Sequence, residues 1–147
     1  MRIYSSTITR FSFFLIATWI ALPAHAEVIN INYAELRKLI SQGVPVIDVR
    51  RDDEWNDTGV IENSHLLTFF DEKGKYDATL WHAAFSTIVK KHDPVILICH
   101  SGARTSMISQ WLSDKVGHAT VYNVTNGIVP WLKENKASRL LQSNPEQ

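Results

Sequence analysis

Residues 95–106 read Val95-Ile96-Leu97-Ile98-Cys99-His100-Ser101-Gly102-Ala103-Arg104-Thr105-Ser106, with Met107, Ile108, Trp111 and Leu112 following at helical spacing. Four unbroken aliphatic residues after Pro94 predict a strand covered on both faces, the mark of a parallel sheet. The small, glycine-containing segment beyond them predicts the mouth of a helix. In an open α/β sheet, ligands bind beyond the carboxyl ends of the strands, and the chain's only cysteine, Cys99, falls at such an end. The first N–H groups of the next helix have no partner within it. Together with cationic Arg104 they favour thiolate over thiol, and the thiolate is the nucleophile.

Outward from this junction the pattern alternates strand and helix. Strands are predicted over residues 28–31, 44–49, 64–68, 95–98 and 120–124. Asn32 with Glu35 three residues on reads as a capping box for a helix whose apolar face is Leu36, Leu39 and Ile40, closed by Gly43. A polar turn of acidic residues is expected around Trp55. Asp77 caps a helix faced by Leu80, Trp81, Ala84, Phe85, Ile88 and Val89 that ends near His92. The helix after Cys99 runs to about Lys115 and stops at Gly117, and a last helix begins near Pro130. Such alternation implies an α/β fold: a five-stranded, mostly parallel sheet with helices on both faces. No repeat or low-complexity segment suggests a second domain.

The first 26 of the 147 residues read differently. Arg2 and Arg10 are the only charges before Glu27, an apolar run spans 11–22, and Ala24-His25-Ala26 ends it. This is the pattern of a secretory signal peptide cleaved after Ala26. The run is shorter than the roughly 20 residues a membrane span needs, so no stable span is expected, and the mature chain is expected in the periplasm. A single domain over 27–137 and a polar tail over 138–147 would remain. Loss of the two arginines leaves 13 basic against 15 acidic residues, a net charge of −2 without a basic stripe, which argues against nucleic acid. A single cysteine excludes an internal disulfide, unusual for an exported chain.

Three landmarks fall in order: Val46-Ile47-Asp48-Val49-Arg50 with Glu54-Trp55, then Cys99 to Thr105, then Tyr122-Asn123-Val124 leading into Asn126-Gly127-Ile128 and Trp131. Together they resemble the rhodanese-like sulfurtransferase family in its single-domain, exported form, over about residues 33–134. The resemblance implies a rhodanese-like fold and a persulfide on Cys99. The thiolate would take the outer sulfur of a small anionic donor such as thiosulfate, releasing sulfite, and pass it to a thiol or cyanide acceptor. It also implies a loop, His100, Ser101, Gly102, Ala103, Arg104 and Thr105, that wraps the sulfur, with Arg104 pairing the donor and holding the loop and His100 tuning the substrate. Related phosphatases carry one more residue between cysteine and arginine, so sulfur transfer is favoured over phosphatase or arsenate reductase chemistry.

Other roles stay open at this point. Gly102 would allow a left-handed or close-approach backbone. The hydroxyl near the sulfur could be that of Thr105 or Ser106. Asn126 would supply a positive φ where the family has paired glycines, and Val60 stands where the family often has histidine. His100-Ser101 fits neither the thiosulfate-typical nor the mercaptopyruvate-typical loop, which leaves the donor unassigned. Against these, Cys99 could be a buried inert thiol, the alternative function being a persulfide-carrying or redox module that binds a protein partner and turns over little small-molecule donor. Asp48 and Arg50 read as a buried pair holding the turn beside the crevice, and Trp55, Trp81, Trp111 and Trp131 as packing residues. The histidines lack ligand spacing, so no metal and no cofactor is expected.

Overall fold

A computed structural model describes residues 26–134. The expected leader, apart from its last residue, and the expected tail lie outside the described residues. The elements run β1 (Glu27–Ile31), α1 (Tyr33–Ser41), β2 (Val46–Asp48), α2 (Asp52–Thr58), β3 (His65–Leu66), α3 (Ala78–Ile88), β4 (Val95–Ile98), α4 (Ala103–Trp111), a π-helical turn (Leu112–Val116), β5 (Thr120–Val124) and α5 (Val129–Glu134). The five strands form one sheet in the order β1-β5-β4-β2-β3. Every pairing is parallel.

Why β4 sits at the centre follows from its composition. All four of its residues are completely buried, each worth roughly 2 kcal/mol relative to exposure. Alternation sends them to opposite sides of the sheet. Val95, Leu97 and Cys99 join the core under α3 and α4, with Trp81, Phe85, Ile108 and Leu112. Ile96 and Ile98 join the core under α1 and α5, with Leu36, Ile128 and Trp131. Cys99 therefore belongs to the α3/α4 side.

The capping box at α1 is present in full. Asn32 Oδ1 accepts from Ala34 N and Glu35 N at 2.9 and 3.1 Å, and Glu35 Oε2 accepts from Asn32 N at 2.9 Å. Several boundaries differ from expectation. β2 and β3 are only three and two residues long, because the chain leaves the sheet to build the site. α3 ends four residues short of His92, since Val89 turns extended and buries its side chain. Its N-cap is Asp77, as expected, accepting from Leu80 N at 2.9 Å.

The main correction is α2. The acidic stretch expected to be a turn is a helix, Asp52–Thr58. Three carboxylates in its first turn suit the positive end of the helix dipole, and Glu54 Oε2 accepts from Arg51 N at 3.2 Å. Gly59, at φ 84°, closes it with an N–H to the Trp55 carbonyl. Val60, two residues from the helix end, is buried, and the apolar residue suits that place.

Candidate active site

Cys99 lies one residue past β4, where the loop to α4 turns back over it. Its side chain is completely buried, so the open crevice expected above the thiol is closed by its own loop. Two polar groups face the sulfur. Gly102 N donates to Sγ at 3.2 Å, and the Thr105 hydroxyl stands 3.5 Å away. Thr105 Oγ1 also donates to the Gly102 carbonyl at 3.1 Å, so it lies in the first helical turn with its oxygen on the loop. Thr105 is buried and Ser106 exposed, which assigns the hydroxyl beside the sulfur to Thr105.

The loop is held by glycines at two points of backbone contact. Gly102 has φ +93°, and a Cβ there would meet the Thr125 carbonyl oxygen at 1.9 Å. Gly127 has φ +65°, and a Cβ there would lie 2.3 Å from the His100 carbonyl oxygen. Ile128 N donates to the Cys99 carbonyl at 2.8 Å. The turn after β5 is thus packed directly against the cysteine loop. Asn126 does not adopt the expected positive φ, because the left-handed position falls on Gly127 alone in that turn.

On the other side the loop meets α2. Arg104 donates from Nη1 to Glu54 Oε2 at 2.7 Å and from Nη2 to Glu54 Oε1 at 2.5 Å, a two-pronged pair. Arg104, expected to pair the donor, is also paired within the protein, because α2 brings a carboxylate to it. These two bonds join the cysteine loop to α2. The bonds from Glu54 hold the Arg104 pKa above its usual value against the cost of burial, and nearby Cys99 adds to that shift. Burial pushes Glu54 up, but the bonds from Arg104 and from the Arg51 backbone outweigh it and hold the carboxyl below its usual range. His100 Nδ1 is 3.7 Å from Glu54 Oε1, with half its side chain exposed. Ser101 and Ala103 are exposed on the loop's outer surface.

Asp48 and Arg50 are both completely buried, as a pair rather than as site groups. Arg50 Nε and Nη2 donate to Asp48 at 2.9 and 2.7 Å. Its remaining N–H groups reach Thr58 Oγ1 at 2.7 Å, the Gly59 carbonyl at 2.8 Å and the Glu54 carbonyl at 3.3 Å. Every donor of the guanidinium is used, and together they fasten α2 to the end of β2. Glu54 is thereby positioned from below by Arg50 and spends its own side chain on Arg104. Glu54 is the site residue that sequence reasoning missed as a partner. Its signal was its third place in an acidic run after Arg51. The tryptophans pack as expected: Trp81 stacks on Phe85 with centroids 5.1 Å apart, and Trp55 and Trp131 are buried.

A parallel five-stranded sheet, with a cysteine loop closed over the end of its central strand, defines a rhodanese-type α/β domain. The rhodanese-like domain profile matches residues 32–134, and the chain belongs to that family. Among solved structures it is similar to a rhodanese-related protein from Thermoplasma volcanium, at 26% identity and a TM-score of 0.58 over 76% of this chain and 98% of that one. A rhodanese-like domain protein from Staphylococcus aureus shares 19% identity at a TM-score of 0.58, over 78% and 99% of the two chains. A Rhodopseudomonas palustris protein of unknown function, described as a possible tyrosine phosphatase, shares 18% at 0.51, over 73% and 81%. No curated protein matches. Likenesses below a quarter identity speak for the fold alone.

Proposed function

We propose that the protein is a sulfurtransferase that carries a sulfane sulfur on Cys99. The observation that carries this reading is the polar surroundings of Sγ, with the Gly102 N–H donating to it at 3.2 Å and the Thr105 Oγ1 dipole 3.5 Å away, in a loop of only six residues from Cys99 to Arg104. A sulfur anion at that position is bound by short, fixed dipoles rather than by bulk water. The thiolate attacks the outer sulfur of a donor. With thiosulfate, the S–S bond breaks, sulfite leaves with the bonding pair, and Cys99 is left as a persulfide anion. A thiol or cyanide then attacks the terminal sulfur, and Cys99 returns to thiolate as the second S–S bond breaks. Loop residues His100 and Ser101 form the outer wall where a donor approaches, and Arg104 anchors the loop.

The reading includes export to the periplasm, resting on the composition of residues 1–26. It is tested by treating the mature chain with thiosulfate and weighing it intact. One added sulfur on Cys99, discharged by cyanide as thiocyanate, is the expected result, and Cys99→Ser should abolish both while keeping the unfolding curve. Failure of the wild type to gain sulfur on Cys99 from thiosulfate and from an alkyl persulfide alike rejects the reading, and rapid aryl phosphate hydrolysis would replace it with phosphatase chemistry. The complete burial of Cys99 favours a second reading, a persulfide carrier discharging to a protein partner; trapping of a partner through Cys99 with negligible thiosulfate turnover would select it.

A further inference from the structure

The cations beside Cys99 are already matched by carboxylates. Arg104 gives both prongs to Glu54, and Arg51 bonds Asp53 at 2.7 Å and lies 3.8 Å from the same Glu54. His100 faces Glu54 as well, at 3.7 Å. Two guanidinium charges thus meet two carboxylates, and these paired charges of the rim cancel. The Arg104–Glu54 pair is three-quarters or more buried on each side, so screening by solvent is weak there. A dianion approaching the sulfur therefore meets the repulsion of Glu54 along with the attraction of Arg104. Arg104 offers it only the N–H groups left over from the two-pronged pair, and its charge is already opposed by Glu54.

From this we infer that Glu54 is a specificity-determining residue that disfavours dianionic sulfur donors, and that the site takes sulfur from an uncharged or weakly charged alkyl persulfide. The inference rests on the sulfurtransferase reading above and adds to it the class of donor. In the step itself, Cys99 thiolate attacks the outer sulfur of R–S–SH and the S–S bond breaks. The departing R–S⁻ takes up the donor's proton and leaves as the thiol, and Cys99 carries the persulfide anion. The step needs no external cation to neutralise the donor, which suits a rim whose charges are spent on one another.

The test compares thiosulfate with the persulfide of 2-mercaptoethanol as sulfur donors to the mature protein, reading the rate of sulfur gain on Cys99. Wild type should load faster from the persulfide. Glu54→Gln keeps the shape and one acceptor for Arg104 but removes the charge. It should raise the thiosulfate-to-persulfide ratio of kcat/KM by roughly tenfold, the effect of one unit charge on a nearby dianion in partly screened surroundings. A purely structural role for Glu54 would lower both donors together and leave that ratio fixed, which would overturn the inference. Should the variant fail to fold, wild type decides alone. Thiosulfate loading should change little with ionic strength on a rim whose paired charges cancel, whereas a steep fall with salt would mean that Arg104 is available to the dianion, against the inference. Failure of wild type to gain sulfur from either donor rejects the sulfurtransferase reading itself, and this inference falls with it.

Discussion

Gly102 and Thr125 are in backbone contact: a methyl group on the Gly102 Cα would sit 1.9 Å from the Thr125 carbonyl oxygen, and the glycine φ of +93° is one that L residues rarely adopt. The same Gly102 supplies the N–H that reaches Cys99 Sγ. The shape of the loop around the sulfur thus depends on a close approach that only glycine allows.

Gly102→Ala is therefore expected to push the loop off the turn after β5. Strain at that φ together with the clash should destabilise the fold by about 3 kcal/mol. Urea unfolding measures the loss. Displacement of the Gly102 N–H should also slow sulfur gain on Cys99 in the intact-mass assay. Wild-type stability in this variant would mean that the contact does not hold the loop.

Arg50 offers a second test, because its guanidinium joins β2 to α2 through Asp48, Thr58 and Gly59. Arg50→Met leaves the Asp48 carboxylate buried without its partner and should cost about 3–5 kcal/mol. Arg50→Lys should recover little of this, since an ammonium cannot reach Asp48, Thr58 and Gly59 together. The double change Asp48→Asn with Arg50→Met removes the unpaired charge, and it should be more stable than Arg50→Met alone. Denaturant midpoints of the four proteins check the order.

Thr105 is expected to act on the sulfur both directly and through the Gly102 carbonyl to which its hydroxyl donates. Thr105→Val keeps the shape and removes the hydroxyl that lies 3.5 Å from Sγ. Loss of one hydrogen bond, roughly 1 kcal/mol, should lower the rate of sulfur loading about five- to tenfold. Thr105→Ser should restore it, and Ser106→Ala should leave it near wild type because that residue is exposed. Stopped-time mass measurements on the three variants distinguish these outcomes.

How much of this was legible beforehand depends on the range of the interaction. The capping box of Asn32 and Glu35, the Asp77 cap and the apolar run of β4 are local patterns, and each appears where it was read. Asp48 and Arg50, two residues apart, were also readable as a buried pair. Arg104 and Glu54 are 50 residues apart, and nothing local says that the carboxylate will meet the loop. That contact exists only once α2 has formed, and a seven-residue helix of mostly polar residues has too little apolar periodicity to announce itself. The choice between Thr105 and Ser106 was a matter of helical phase, since neighbouring residues point about 100° apart and only the exact start of α4 decides which one faces Cys99.

Acid sensitivity gives the last test. His118 is buried, its Nε2 is 2.9 Å from the Asp93 carbonyl and its ring lies edge-on to Phe85 with centroids 5.4 Å apart. A carbonyl accepts only from N–H, so Nε2 carries the proton and the neutral ring already satisfies this bond. Burial lowers the His118 pKa below its usual value, although the Asp93 carbonyl works in the other direction. At pH 8 the imidazole is neutral in both folded and unfolded chains and costs nothing. As the pH falls through about 6.5, the unfolded chain takes up a proton that the folded one resists, so stability declines. The decline from this group stops once the pH is below the folded value. Glu54, held below the usual carboxylate range, adds a separate loss at lower pH, where its unfolded form protonates first. Urea midpoints measured from pH 8 to pH 4 should therefore fall in two stages. His118→Gln should flatten the stage near neutrality and leave the acid stage, whereas Glu54→Gln should do the reverse. A wild-type profile flat between pH 7.5 and 5.5 would contradict the burial of a neutral His118.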